Sequence, residues 1–121
     1  MTKGANERVA YHNGRIVPES QVLVSFRDRG FKFGEAVFDT ARTVRHKPYK
    51  LEAHVERLFR SMRYLRIDCG LSPQQLVDIS MRVLKANLPL IDDDEDYWLF
   101  QRITPGSGDS FAGEGASEPT V

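Results

Sequence analysis

The feature that most narrows what this chain folds into is a change of hydrophobic period near residue 51. Upstream, Val37, Asp39, Ala41 and Thr43 alternate with Phe38, Thr40, Arg42 and Val44, the two-residue repeat of a strand with two unlike faces. Downstream, Leu51, Val55, Leu58, Phe59, Met62 and Leu65 recur at the 3.6-residue spacing of a helix that buries one stripe. His54, Arg57, Arg60, Arg63 and Arg66 fall off that stripe, and the spacing predicts a helix to about Ile67. A strand passing by a short connection into a long amphipathic helix requires a mixed fold.

The flanking segments extend the pattern. Residues 9–24 place two apolar runs around His12-Asn13-Gly14, and Asn-Gly between such runs predicts a hairpin because both residues tolerate positive φ. Ser25 to Gly34 has neither period and reads as an irregular loop. Lys47-Pro48 is expected to turn the strand Val37–Val44 into a short partner, Tyr49-Lys50-Leu51, making a second hairpin. Ser72-Pro73-Gln74-Gln75 carries an N-cap serine, proline at N1 and glutamine at N3, so a second helix starts there, with Leu76, Ile79, Val83 and Leu84 as its core face. The acidic run Asp92 to Asp96 connects to a last strand, Tyr97 to Thr104. The order ββ, ββ, αα, β predicts an α+β domain, an antiparallel-rich sheet with two helices on one face, over residues 1–106. Residues 107–121, rich in glycine and serine with no basic residue, are expected to be a linker or disordered tail.

Composition removes several function classes. Lys plus Arg and Asp plus Glu are 17 each, so no net field draws the chain to nucleic acid or membrane. The arginines at 57, 60, 63 and 66 come at period three and spiral around the helix rather than forming a basic stripe. No apolar run is long enough for a membrane span, and the opening MTKGANERVA has no apolar core of a secretory signal, which points to the cytoplasm. Cys69 is the only cysteine, which excludes an internal disulfide and fits a reducing compartment, and it is expected to serve packing. Asp92 to Asp96 lacks the spacing of a calcium loop, and His12, His46 and His54 lack metal-ligand spacing, so no metal site is expected.

The candidate chemistry lies between Asp28 and Leu58. Arg57, off the apolar stripe and one helical turn from His54, offers fork-shaped, permanently charged donors suited to a phosphate or carboxylate. The plainer reading is a solvated helix face on which Arg57 pairs weakly with Glu52 and Glu56.

Two segments carry a family resemblance. Asp28-Arg29-Gly30-Phe31-Lys32-Phe33-Gly34-Glu35-Ala36-Val37-Phe38-Asp39 is similar to the D-R-G, aromatic, G-[DE]-G/A-V-[FY]-[ED] segment of class IV (fold-type IV) pyridoxal-phosphate enzymes. His54-Val55-Glu56-Arg57-Leu58 resembles their H-x-x-R-L motif. With the opening hairpin, the Ser-Pro helix start and the closing strand, the resemblance covers roughly residues 9–106 and is to the N-terminal small domain of the branched-chain and D-amino-acid aminotransferases. It implies pyridoxal 5'-phosphate as cofactor, an amino acid and a 2-oxo acid as substrates, and a homodimer. Carried over position by position, Arg57 resembles the ligand of the cofactor phosphate. Phe38 resembles an aromatic lining the substrate pocket, and Phe33 one that helps form it, in some members across the dimer interface. His54 resembles a structural neighbour that fixes the helix start.

Two departures qualify what the resemblance implies. Where D-amino-acid aminotransferases have T-R-G, with the arginine on the substrate carboxylate, this chain reads Thr104-Pro105-Gly106; Arg102, three positions earlier, is expected on the opposite strand face and is a weak substitute. The family's cofactor-binding lysine and the acidic partner of the pyridine nitrogen belong to the second domain, and Lys3, Lys32, Lys47, Lys50 and Lys85 match no such position. No catalytic residue is therefore assigned, and the chain alone is expected to be inactive until a C-terminal catalytic domain or a second chain completes it. A lyase of the aminodeoxychorismate type and a non-catalytic dimerisation or interaction module on the same scaffold are the alternatives.

Overall fold

A computed structural model describes residues 7–107 and 120–121. The first hairpin, β1 (Val9–His12) and β2 (Arg15–Pro18), pairs antiparallel around Asn13-Gly14, whose φ angles of 49° and 99° are those the sequence requires of such a turn. A single 3-10 turn, Glu19–Gln21, follows.

Within the segment expected to be a loop, Arg29–Phe33 forms a short helix, α1. Five residues are too few for periodicity to register, and the caps carry the information instead. Asp28 accepts from the Gly30 N–H as N-cap, and Gly34 closes the helix at φ 71°.

β3 (Val37–Val44) is the central strand of a three-stranded antiparallel sheet of order β4-β3-β5, with β4 at Lys47–Pro48 and β5 at Trp98–Ile103. The second hairpin exists, but its turn is Arg45-His46, both left-handed at φ 51° and 68°. Lys47 and Pro48 therefore pair with Val44 and Thr43, and Leu51 begins the next helix instead of ending a strand. The unusual turn is held from outside: the His46 N–H donates to Asp96 Oδ1 (2.8 Å), which also accepts from Thr43 Oγ1 (2.7 Å).

The helix α2 (Leu51–Leu65) stops two residues short of Ile67 because Arg66 turns left-handed at φ 58°, which leaves Leu65 exposed and swings Ile67 into the core. The helix α3 (Pro73–Asn87) has the expected capping box, Ser72 and Gln75 bonding reciprocally (2.8 and 3.1 Å). Its buried line is Leu76, Val77, Ser80, Leu84 and Asn87; Ile79 and Val83 are half-buried, turned toward a gap beside β5. A 3-10 turn, Leu88–Leu90, ends it.

The core lies between the inner sheet face and the two helices: Val37, Ala41 and Ile103 pack against Leu51, Val55, Leu58, Met62, Leu76 and Val77, with Cys69 buried among them. Each large apolar side chain buried there contributes about 1.5–3 kcal/mol. The observed class is the expected α+β one, although the strands form two sheets. Residues 108–119, most of the segment expected to be a linker, lie outside the described residues. Thr120 returns to pair with Thr104 at the end of β5.

Candidate cofactor and substrate site

Strand alternation places Asp39 on the inner face of β3 between Val37 and Ala41, where a carboxylate without partners would be costly. It is fully engaged. Arg57 Nε donates to Oδ2 at 2.7 Å and its Nη2 to Oδ1 at 2.8 Å, a bidentate pair. His54 Nδ1 lies 2.8 Å from Oδ1, and the Thr40 N–H donates to the same oxygen at 2.9 Å. Arg57 and His54, one turn apart on α2, thus meet on one acid. The Arg57 guanidinium, with His54 and the Thr40 amide, holds the Asp39 carboxyl down to about 2 against the opposing effect of burial. Hydrogen bonding to Asp39 raises the Arg57 pKa in turn.

Asp39, not Glu52 or Glu56, is thus the partner of Arg57, and the plainer sequence reading of weak surface pairs is replaced by a bond to a buried acid. The side chain of Arg57 nevertheless stays 60% exposed while that of Asp39 is 3% exposed, so the guanidinium is fixed on one edge and open on the other. β4 covers only Thr43 and Val44, so β3 has no strand neighbour on that side at Phe38 to Ala41 among the described residues.

Phe38 is on the opposite, outer face and 63% exposed. Its cross-strand neighbour is Arg102, and the next pairs are Thr40 with Phe100 and Arg42 with Trp98. The Phe38 and Phe100 rings are 6.5 Å apart and those of Trp98 and Phe100 6.4 Å, while the Arg102 guanidinium stands 5.7 Å from the Phe100 centroid. The outer face is therefore an aromatic strip with an arginine at each end and no acid. Phe33 sits apart, at the end of α1, with the Arg29 guanidinium 5.0 Å and Lys32 Nζ 5.1 Å from its ring. Arg57, Phe38 and Phe33 occupy three different surfaces rather than one pocket within this chain.

Sequence reasoning left two acids without a role. Asp39 is one; the signal was an acid on the apolar register of a strand. Asp28 is the other, buried and accepting from the Gly30 N–H (2.8 Å), Thr104 Oγ1 (3.0 Å) and Thr120 Oγ1 (2.6 Å). Next to it, buried Arg29 pairs with Glu35 through Nε (3.0 Å) and Nη2 (2.5 Å), and its amide donates to the Gly106 carbonyl (2.7 Å). The D-R-G segment thus ties α1 to the end of β5. Lys32, Lys47, Lys50 and Lys85 are all exposed. Among the described residues no group of His, Cys, Asp and Glu is arranged to hold a metal ion, and no helix is long and apolar enough to cross a membrane.

This architecture has known counterparts. The branched-chain aminotransferase of the thermophilic archaeon Thermoproteus uzoniensis, solved with norvaline, superposes with a TM-score of 0.80 at 20% identity, over 93% of this chain and 38% of that one. The D-alanine aminotransferase of Staphylococcus haemolyticus is 31% identical over 75 residues, 62% of this chain and 27% of that protein. The aminodeoxychorismate lyase of Bacillus subtilis is 35% identical over 77 residues, 64% of this chain and 26% of that protein. The chain spans little more than a quarter of the length of these two curated relatives. The profile of the amino-transferase class IV family matches residues 36–121, from the start of β3 through both helices and β5. On that match, which includes the Asp39–His54–Arg57 cluster and the aromatic strip, the chain belongs to the class IV amino-transferase family.

Proposed function

We propose that this chain is the small domain of a pyridoxal-phosphate-dependent enzyme that transfers an amino group between an amino acid and a 2-oxo acid. The observation that carries the reading is the half-open Arg57. Its Nε and one Nη2 hydrogen are committed to Asp39, whereas Nη1 makes no bond among the described residues and the side chain stays largely exposed. A guanidinium locked by a buried acid presents its remaining donors in one orientation, which suits a phosphate. Family membership supplies the chemical class.

Pyridoxal phosphate, when bound, supplies the carbonyl carbon and the electron-withdrawing ring on which amino-group transfer is carried out. This chain's part is to bind and orient. Arg57 holds the phosphate, Asp39 fixes the rotamer of Arg57, and His54 steadies Asp39 at the Oδ1 it shares with Arg57 Nη2. Phe38, with Trp98 and Phe100, covers the substrate side and excludes water, and Arg102, directly across from Phe38, is only a weak substitute for the carboxylate-binding arginine that Pro105 replaces. Phe33 helps close the pocket, from the second subunit of a cytoplasmic homodimer. The reacting lysine comes from outside this chain, which alone does not transaminate. The likeness to an aminodeoxychorismate lyase supports a second reading, in which the same scaffold serves lyase chemistry.

The test is titration of the protein and its Arg57→Ala variant with pyridoxal phosphate and with pyridoxal. Losing charge-assisted bonds of about 1.5–3 kcal/mol weakens binding of the phosphorylated form roughly 10–100-fold and leaves pyridoxal unchanged. Equal affinity of both proteins for pyridoxal phosphate overturns the assignment.

A further inference from the structure

Asn13 is the first central residue of the turn between β1 and β2, and Gly14 follows it. With no Cβ beside it, a glycine nitrogen is the backbone nitrogen best able to attack the side-chain carbonyl carbon of a preceding asparagine. The product of that attack is a five-membered imide. Whether it forms depends on what holds the carboxamide and the nitrogen.

The two asparagines among the described residues differ in this respect. Asn87 is buried; its Nδ2 donates to the Val9 and Val83 carbonyls (2.9 and 2.8 Å), and its Oδ1 accepts from the Val9 N–H (2.9 Å). The amide that follows it, the Leu88 N–H, bonds the Leu84 carbonyl, so both reacting groups are fixed. Asn13 and Gly14 are exposed, and the Gly14 amide has no hydrogen-bond partner among the described residues. A Cβ built on Gly14 would meet nothing within 4 Å, so the approach beside that nitrogen is open.

Two groups flank the Asn13 carboxamide. The Val121 N–H donates to Oδ1 at 2.9 Å, which puts a donor on the oxygen where negative charge builds as the nitrogen adds. His12 Nε2 lies 3.4 Å from Nδ2, the nitrogen that must take up a proton to leave. Val121 is held in place: its carbonyl accepts from the Asn13 N–H (3.3 Å), its side chain packs against the core, and Thr120 before it pairs with Thr104 and donates to Asp28 (2.6 Å).

We propose that Asn13 is a self-modification site, at which the Gly14 nitrogen displaces the side-chain amide while Val121 steadies the oxygen and His12 delivers the proton to the departing nitrogen. The bond formed is Gly14 N to Asn13 Cγ, and the bond broken is Asn13 Cγ to Nδ2. The Gly14 nitrogen gives up its proton, ammonia leaves, and the imide remains. Water then opens the ring at one of its two carbonyls, giving aspartate or isoaspartate. One water enters and one ammonia departs, with no change of oxidation state. The two products differ in consequence. An aspartate carboxylate still accepts from the Val121 N–H. Isoaspartate adds a carbon to the main chain of a two-residue turn, which breaks the pairing of His12 with Arg15 and releases Val121. The site is independent of the cofactor assignment.

The test incubates the 121-residue chain and its His12→Thr and Val121→Pro variants at neutral pH, with and without urea, and follows Asn13 by peptide mass and isoaspartate content. The folded chain converts at Asn13 while Asn87 stays intact. Each substitution slows that conversion at least roughly tenfold in the folded chain and makes no difference in urea. Protection of the Ala41 amide from hydrogen exchange verifies that each variant keeps the sheet. In Asn13→Asp the Val121 amide is as protected as in the parent chain, whereas in the isoaspartate form its exchange is at least roughly tenfold faster. If either substitution leaves the folded rate unchanged, or if Asn13 converts only in urea, the site is overturned and the turn is an ordinary Asn-Gly pair.

Discussion

At the scale of single residues, Asp39 decides how Arg57 behaves. Its depressed pKa has a signed consequence: the carboxylate's stabilising bonds are fully present above the ordinary aspartate range near 4 and are lost as pH falls through about 2. The ceiling is about 2 kcal/mol, lowered by solvent around the open side of Arg57. Asp39→Asn is expected to flatten the dependence of melting temperature on pH between 4 and 2, measured by thermal denaturation in that window; an unchanged slope would mean other carboxylates carry it. Gly30 gives a second prediction. A Cβ there would lie 2.5 Å from Thr104 Cγ2, with Asp28 Oδ1 at 3.0 Å, and both belong to the buried knot. Gly30→Ala is expected to cost about 1–3 kcal/mol in denaturant unfolding by forcing Thr104 off Asp28. Arg57 and His54 were legible in the sequence as off-stripe residues one turn apart. Their acid was not, because nothing along the chain couples a strand at 39 to a helix at 57 until the two pack.

Among the elements, those announced by a repeat or by a cap were legible: the Asn-Gly hairpin, β3, α2 and the Ser72 capping box all appear where the pattern puts them. What failed was where backbone strain outweighs propensity. Arg45 and His46 form the second turn left-handed, a conformation costing roughly 1–2 kcal/mol per residue, because Asp96 bonds the His46 amide from fifty residues away. The Lys47-Pro48 signal was real but local, and proline is tolerated in β4 because that strand lies at the sheet edge. Replacing the turn by Arg45→Asn with His46→Gly removes the strain while keeping the amide that Asp96 holds. We expect the melting temperature to rise by roughly 4–8 °C, about 1 kcal/mol for a domain of this size, with calorimetry as the check. A fall would show that the His46 ring, 3.0 Å from the Asp92 carbonyl, outweighs the turn.

For the whole molecule, what matters is apolar surface left without cover. Two patches stand out: Trp98, Phe100 and Phe38 along the outer sheet face, with Trp98 70% exposed, and Leu23, Phe26 and Phe31 around α1, with Phe26 78% exposed. Folding does not require either, since the core lies wholly on the helix side of the sheet, and aromatic residues grouped outside a core mark a surface that is covered in use. A chain presenting both is expected to self-associate. Sedimentation equilibrium over a roughly hundredfold range of concentration should show a rising mean mass, and the apparent melting temperature should rise with it. Trp98→Thr with Phe100→Thr separates the patches. Threonine keeps the strand, and loss of the cross-strand contacts costs only about 0.2–1 kcal/mol each, so the double variant stays folded. If the sheet face drives association, the variant's mass falls toward that of a monomer. Unchanged mass moves the interface to the α1 patch, and a parent chain that is monomeric throughout removes the reading of these faces as sticky when bare.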